Sequence, residues 1–573
     1  MEHLDYEIAR MFYSAGLPFN LARNLYFQSA FTYTTNHNIA GYLPPGYNLL
    51  RTTLLQKEKT NIDRLCASII NSWNENGVSI VSDGWSDSQR RPLINFMAVS
   101  DGDAMFLKLV DCSGQTKDMH FIYNLLKKVI NEVGYTKVVQ VITDNVSNCK
   151  GVGQLIEQEF SSIVWTPYVV HTLNLALKNI LAYEACSWIS DIIGDVMMIK
   201  IFIMNHSMRL SMFNEFVSLK LLSVTETRFA SMVVMLKRFK LIKSGIQNMV
   251  ISDKWILYRD DHQGRARTVK ENVLDDLWWY SIDYILSFTV PIYDMIRFCD
   301  IDKPSLHLVY DMWDMLIENV KKAINYHEVK MVYEESPFFQ VVHEILIDHW
   351  NKNNTPLHCL AYAFYQKYYS EQCLNEDLTR VPPHKDMEIN LERTKCIRKY
   401  FPNLEERNKV NMEYAEFVGK NRDFRDFDSI EFRYAMDPKA WRVIHGACAP
   451  MLQTIALRLL AQPSSSSCAE RNWSTYSFVH SMKRNKMTPK RAEDLVYIHS
   501  NLRLLSRKSP QYAQGETKMW DIGGDAFDSL EDIGVLEVAS LSLDEPEMES
   551  IVFLDEVDAP SDGGHKDINF DEV

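Results

Sequence analysis

Lys137-Val-Val-Gln-Val-Ile-Thr-Asp-Asn145 is the stretch on which the fold turns. From Lys137 to Thr143 it is almost continuously apolar and β-branched, the pattern of a central strand buried on both faces of a sheet. Asp144 and Asn145 end it abruptly. Upstream, Val78-Ser-Ile-Val-Ser-Asp83 is a second short run of the same kind, also ending on an aspartate. Between the two, Ile94–Val99 and Met105–Val110 flank Ser100-Asp-Gly-Asp103, which predicts a hairpin. A helix is predicted from about 118 to 132, with Phe121, Leu125, Val129 and Ile130 on one face and Gly134 placed to stop it. The order is β-β-β-α-β, which makes a mixed sheet.

Outward from this block the texture is helical. Residues 1–75 read as helices ending in Asn74-Glu-Asn-Gly77, and from about 180 to 440 the β signal fades. Leu274, Trp278, Ile282 and Ile285 recur at helical steps, as do Val309, Met312, Leu316 and Val320. Three more helices are predicted at about 450–461, 468–480 and 489–506, the last with Leu495, Ile498, Leu502 and Leu505 on a narrow seam suited to packing or to a partner. The expected organisation is a helical region over 1–75, a sheet-bearing segment over 76–180, a helical insertion over 181–440, a C-terminal segment over 441–510 and a tail over 511–573.

The 573 residues carry a net charge of −14, but the charge is unevenly placed. From Asp521 onward there are 17 acids and one lysine, leaving 58 acids against 60 bases in the rest. The acidity therefore belongs to the tail, which such a block predicts to be solvated and disordered. Ten cysteines stand singly with no C-x-x-C pair, the usage of reduced thiols in cytosol or nucleus and not of a zinc finger. No run of eighteen apolar residues occurs, so a soluble protein without a membrane partner is expected.

Asp83 and Asp144 end the two most buried strands, the place where an open α/β sheet presents polar groups to a ligand. If these strands are neighbours, the carboxylates face each other and suit a divalent cation such as Mg²⁺. Each also has a plainer role, Asp83 in a turn and Asp144 as a helix cap or Asx turn. Far downstream, Ser467-Cys-Ala-Glu470 fits a capping box and equally supplies a third carboxylate. Asp87 reads as a loop residue. Lys483, Arg484, Lys486, Lys490 and Arg491 form the densest basic cluster, suited to phosphate contacts or to a solvated helix end. His343-Glu344 is followed by a histidine only at 349, a spacing that excludes two zinc ligands on one helix face.

Several segments together resemble a known family. Ser82-Asp83-Gly-Trp85, Asn95-Phe96, Thr143-Asp144-Asn145-Val-Ser-Asn148 and Trp165-Thr-Pro167-Tyr-Val-Val-His171 resemble the core of plant hAT-superfamily transposase-like proteins that carry the domain DUF659. Thr227-Arg228-Phe229-Ala-Ser231 is similar to that family's Arg-aromatic element. Ser467-Cys-Ala-Glu470-Arg471-Asn-Trp-Ser474 with Asp494–Asn501 resembles the hAT C-terminal dimerisation region. The resemblance implies an α/β, RNase H-like mixed-sheet core interrupted by a large all-α insertion. It implies a catalytic metal site of Asp83, Asp144 and Glu470 holding Mg²⁺ or Mn²⁺. Arg228 and Phe229 join the basic cluster as DNA-binding residues, Phe229 as a ring that stacks on an extruded base or else as a core aromatic. The family's Cys-x-x-His element departs here, since Tyr168 replaces the cysteine while His171 stays, as a supporting residue or a satisfied buried histidine.

Two functions follow as expectations. One is a nuclear transposase-like protein that binds DNA, assembles as a homodimer or higher oligomer through its C-terminal region, and cleaves phosphodiesters with two metal ions. The other is a domesticated relative that dimerises on DNA or chromatin without cutting. The missing cysteine, and the absence from this sequence of the zinc-binding BED finger that relatives use, favour the second; the intact acids favour the first.

Overall fold

The strand at 138–143 forms as β4, Val138–Thr143, with every residue buried. The computed structural model describes residues 2–510 apart from 16, 18, 88, 220, 222–229, 259–262, 332, 378 and 481–486. The acidic tail, Arg228, Phe229, Lys483, Arg484 and Lys486 lie outside the described residues. β4 pairs in parallel with β1, Val78–Ser86, on one side and with β5, Val164–Pro167, on the other. β1 runs antiparallel to β2, Pro92–Ser100, and β2 to β3, Asp103–Asp111. The five strands stand in the order β3-β2-β1-β4-β5.

Asp101 and Gly102, at φ 56° and 84°, make the two-residue turn between β2 and β3. Two features differ from the sequence pattern. β5 is an additional strand, because four residues ending in proline are too few to show alternation and take their identity from the free edge of β4. β1 runs three residues beyond Asp83, because its ladder with β2 continues to Ser86 opposite Pro92 while its pairing with β4 ends at Val81 opposite Ile142.

Gly77 stops helix Ala67–Asn76 and sits at φ 65°. A Cβ there would stand 2.4 Å from Val139 Cγ2, so a glycine is required for the helix end to meet β4. Helix Met119–Val133 is capped by the Asp118 side chain on the Phe121 amide and buries Leu126, Val129 and Ile130.

A polar chain crosses the sheet interior at Ser79, Gln140 and Thr166, all fully buried, one on each of β1, β4 and β5. Thr166 Oγ1 donates to Gln140 Oε1 (2.7 Å), and Gln140 Nε2 donates to Ser79 Oγ and to the Pro463 carbonyl (2.9 Å each). Ser79 Oγ donates to Gln462 Oε1 (2.7 Å). Buried polar groups need such partners, so the chain at 462–463 is fixed to a sheet more than 300 residues upstream. The four serines that follow, Ser464 to Ser467, are all buried.

The remainder of the described chain is helical. Helix Asp276–Cys299 starts two residues after Leu274, because Asp275 caps it; Leu274 ends the preceding helix, Gln263–Leu274, and is exposed. Helix Pro489–Arg507 packs on β3 and on helix Leu55–Leu65. Its most buried positions are Ala492, Val496 and Asn501, whereas Leu495, Ile498, Leu502 and Leu505 are half-buried. The reason is Asn501, whose amide bonds both the Phe106 N–H (2.9 Å) and the Phe106 carbonyl (3.0 Å) and so closes the edge of β3. Lys59 Nζ meets the buried Asp494 carboxylate at 2.6 Å, tying the two helices. No described helix is long and apolar enough to cross a membrane.

Candidate acidic site at the carboxyl end of the sheet

Asp83 lies on β1 just where the parallel pairing with β4 ends, and Asp144 is the first residue after β4. Continuing the register from Val81 and Ile142 by two residues sets Asp83 opposite Asp144. Both are half-buried. Cys149, in the first turn of helix Ser147–Glu159, lies within electrostatic reach of both: burial pushes its thiol pKa up, the Thr143 hydrogen bond lowers it, and the charges of Asp144 and Asp83 add to the rise. Nothing in the sequence pattern marks Cys149, since one unpaired cysteine has no spacing to read. Asp144 does not cap the next helix, whose N-cap is Val146 with no side-chain cap bond.

Glu470 arrives on helix Ser467–Val479. The capping box is not formed: the N-cap is Ser466, without a side-chain cap bond, and the Ser467 hydroxyl is engaged by Asp300, Ser465 and Tyr168 instead. Four side chains anchor the helix. The fully buried Asn95 accepts the Asp83 N–H (3.2 Å) and donates to the Ala469 carbonyl (2.7 Å), so one amide bridges β1 and the residue before Glu470. Trp473 Nε1 donates to Asp83 Oδ2 (2.6 Å), and its ring stacks on Trp85 with centroids 5.3 Å apart. Tyr168 Oη bonds Ser467 Oγ (2.6 Å). Arg471 reaches the other way, to the Asp300 carbonyl (2.6 Å) and the Asp302 carboxylate.

Tyr168, in the place of the family's cysteine, is therefore a tether for the Glu470 helix. His171 is half-buried with its ring stacked on Tyr168 (6.3 Å, 20°), more open than the buried histidine expected from its apolar helix. Asp87 lies in the loop after β1, as read, and is buried; although burial alone would raise its pKa, the hydrogen bonds and charge of Arg91 hold it below the usual carboxylate range. Lys490 pairs with Glu493 (3.1 Å) and Asp494 (3.5 Å) on its own helix. Arg491 is half-buried. His349 is a buried histidine bonded to Asn179 (3.0 Å), a structural role.

Do these carboxylates suit a divalent ion? As the side chains stand they do not: one oxygen of Asp83 is taken by the Trp473 indole. Among the described residues no group of three or more His, Cys, Asp or Glu side chains is close enough to hold a metal ion. The backbone brings the three acids to one end of the sheet; the side chains do not close into a ligand set.

These features define an α/β protein in which a late helix is clamped beside acidic residues at the carboxyl end of a mixed sheet. Two family profiles match the chain: a domain of unknown function, DUF659, over residues 45–199, and the hAT family C-terminal dimerisation region over residues 421–502. The two matches support an hAT-family transposase-like protein. No curated protein matches it.

Proposed function

We propose that the protein is a nuclear, DNA-binding transposase-like dimer built on an RNase H-like core. The observation that carries this is the clamp on the Glu470 helix: Asn95 and Trp473 fix it beside Asp83, with Asp144 on the adjoining strand. The strand order, two antiparallel neighbours on one side of β1 and two parallel strands on the other, supports the RNase H-like core. The dimerisation region at 421–502 supports self-association, and the half-buried Leu495, Ile498, Leu502 and Leu505 offer apolar surface for it. Lys483, Arg484, Lys486, Lys490 and Arg491, with Arg228 and Phe229, are the proposed DNA contacts, through phosphate neutralisation and stacking.

With Asp83 held by Trp473, binding without cutting is the activity that this arrangement favours. A second activity, metal-dependent cleavage with Mg²⁺ or Mn²⁺ at Asp83, Asp144 and Glu470, is favoured by the convergence of their three elements and requires Trp473 to release Asp83. Gel-shift titration with branched duplex DNA across a salt series tests the first: affinity should fall steeply with salt, and Lys483→Ala/Arg484→Ala should shallow the slope by about one to two. Salt-insensitive or absent binding refutes it. Incubation of the same DNA with Mn²⁺ tests the second, and nicking no greater than that of Asp144→Ala leaves only the binding function.

A further inference from the structure

Residues 1–50 differ in composition from the rest of the chain. They hold five charged side chains, Glu2, Asp5, Glu7, Arg10 and Arg23, where the whole chain is 24% charged, and they hold no lysine. Six of the 27 tyrosines stand there, at positions 6, 13, 26, 33, 42 and 47. Few acids, no lysine and many tyrosines make the composition of a surface that meets another protein, and the shortage of cations disfavours nucleic acid.

The fold leaves this segment uncovered. Helix Glu2–Ala15 and helix Leu25–Asn36 touch through Phe12 and Phe27 (5.7 Å, 89°), and Phe27 leans on Phe31 of its own helix (4.8 Å). Phe12 is the one buried side chain among the described residues of 2–50. Tyr6, Tyr13, Tyr33, Tyr42, Leu43 and Tyr47 are 58–82% exposed. Helices of 14 and 12 residues are marginal in water when nothing packs against them, and so much apolar surface in one segment marks an interaction site.

The place where the segment leaves the body indicates what covers it. After helix Leu25–Asn36 the chain passes through Gly41, at φ 82°, and Pro44-Pro45. The ten residues from His37 to Gly46 can span up to about 33 Å. The chain then enters helix Leu55–Leu65, whose Gln56 and Lys59 bond the buried Asp494 (3.0 and 2.6 Å) and whose Asp63 accepts the Tyr497 hydroxyl. Asp494 and Tyr497 belong to the stretch matched by the hAT dimerisation profile, residues 421–502. The uncovered helices thus hang from the dimerisation region itself, on a tether long enough to reach a neighbouring subunit. In a two-fold dimer both copies present the same surfaces, so the two arms can be exchanged symmetrically.

We propose that helices Glu2–Ala15 and Leu25–Asn36 form an arm that crosses to a second copy of this chain and packs beside that copy's dimerisation region, burying Tyr6, Tyr13 and Tyr33. The proposal rests on the self-association inferred above and adds an interface outside the residues that the dimerisation profile matches.

Sedimentation equilibrium on the full chain tests it by comparing the dimer dissociation constant of wild type with that of Tyr6→Ser/Tyr13→Ser/Tyr33→Ser. The triple variant should dissociate at least about 100-fold more readily. All three side chains are largely exposed, so the body of the protein does not depend on them for folding. Hydrogen exchange of wild-type peptides covering the two helices, measured well above and well below that constant, gives a second reading: it should slow at least about tenfold in the dimer. If wild type dimerises but the triple variant stays within about threefold of it, or the two helices exchange alike in monomer and dimer, the arm is overturned and self-association stands. Wild type that remains monomeric at every concentration refutes self-association, and the arm with it.

Discussion

Replacing Asn95 by alanine isolates the joint between the sheet and the Glu470 helix. The substitution removes the bond from Asn95 Nδ2 to the Ala469 carbonyl and the bond from the Asp83 N–H to Asn95 Oδ1. Ala469 is fully buried, so its carbonyl loses its partner where water does not reach. A buried polar group left unpaired costs about 1–3 kcal/mol, and the half-buried Asp83 amide adds less, for about 2–4 kcal/mol in all. Because the chain is large and a single two-state unfolding transition is not expected, the readout is local: hydrogen exchange of peptides spanning 467–479 under native conditions. A cost of 2 kcal/mol raises the opening equilibrium about 30-fold, and exchange should quicken accordingly. Asn501→Ala is the matched control. It removes a similar pair of bonds at the edge of β3 and should loosen 489–507. If Asn95→Ala leaves exchange across 467–479 within about threefold of wild type, the amide bridge is not what holds the Glu470 helix, and the clamp reasoning fails.

Trp473→Phe keeps a ring to stack on Trp85 but deletes the N–H on Asp83; Mn²⁺ should then bind more tightly than to wild type by titration calorimetry, an increase that Asp144→Asn abolishes. Tyr168→Phe removes one of several partners of Ser467 and should cost about 0.5–1.5 kcal/mol, while Tyr168→Ala, at a fully buried position, should cost about 3–5 kcal/mol, both read as quickened hydrogen exchange across 467–479. Asp494 is held below the ordinary carboxylate pKa: burial would raise it, but the hydrogen bonds and charges of Lys59, Gln56 and Lys490 outweigh that. Its stabilising contribution is therefore complete above the unfolded value of about 4 and is lost as pH falls from there through the lower folded value. Exchange at 55–65 should quicken over that window, and Asp494→Asn should flatten the dependence.

The sheet was legible because its signals are local. Val138 to Thr143 must be buried wherever they go, Ser100-Asp-Gly-Asp103 has the residues of a tight turn, and Asp118 and Gly134 bracket a helix whose apolar face is plain. β5 was not, since four residues hold no period and only a free strand edge makes them a strand. Leu495, Ile498, Leu502 and Leu505 read as a seam suited to packing or to a partner, and they are half-buried against the core; what hydrophobicity did not reveal is that Asn501 turns fully inward to satisfy the Phe106 amide and carbonyl.

By itself the sequence determined which residues carry charge at strand ends, the acidic tail, and the ordered set of motifs that the two family profiles match. The tertiary structure alone decided that four successive serines are interior, that Tyr168 tethers the Glu470 helix, that Cys149 lies within electrostatic reach of both aspartates, and that the Trp473 indole bonds Asp83. The physical reason is distance along the chain. Hydrophobic periodicity and turn chemistry act within a few residues, whereas a buried polar group takes whatever partner the fold delivers, here from nearly 400 residues away.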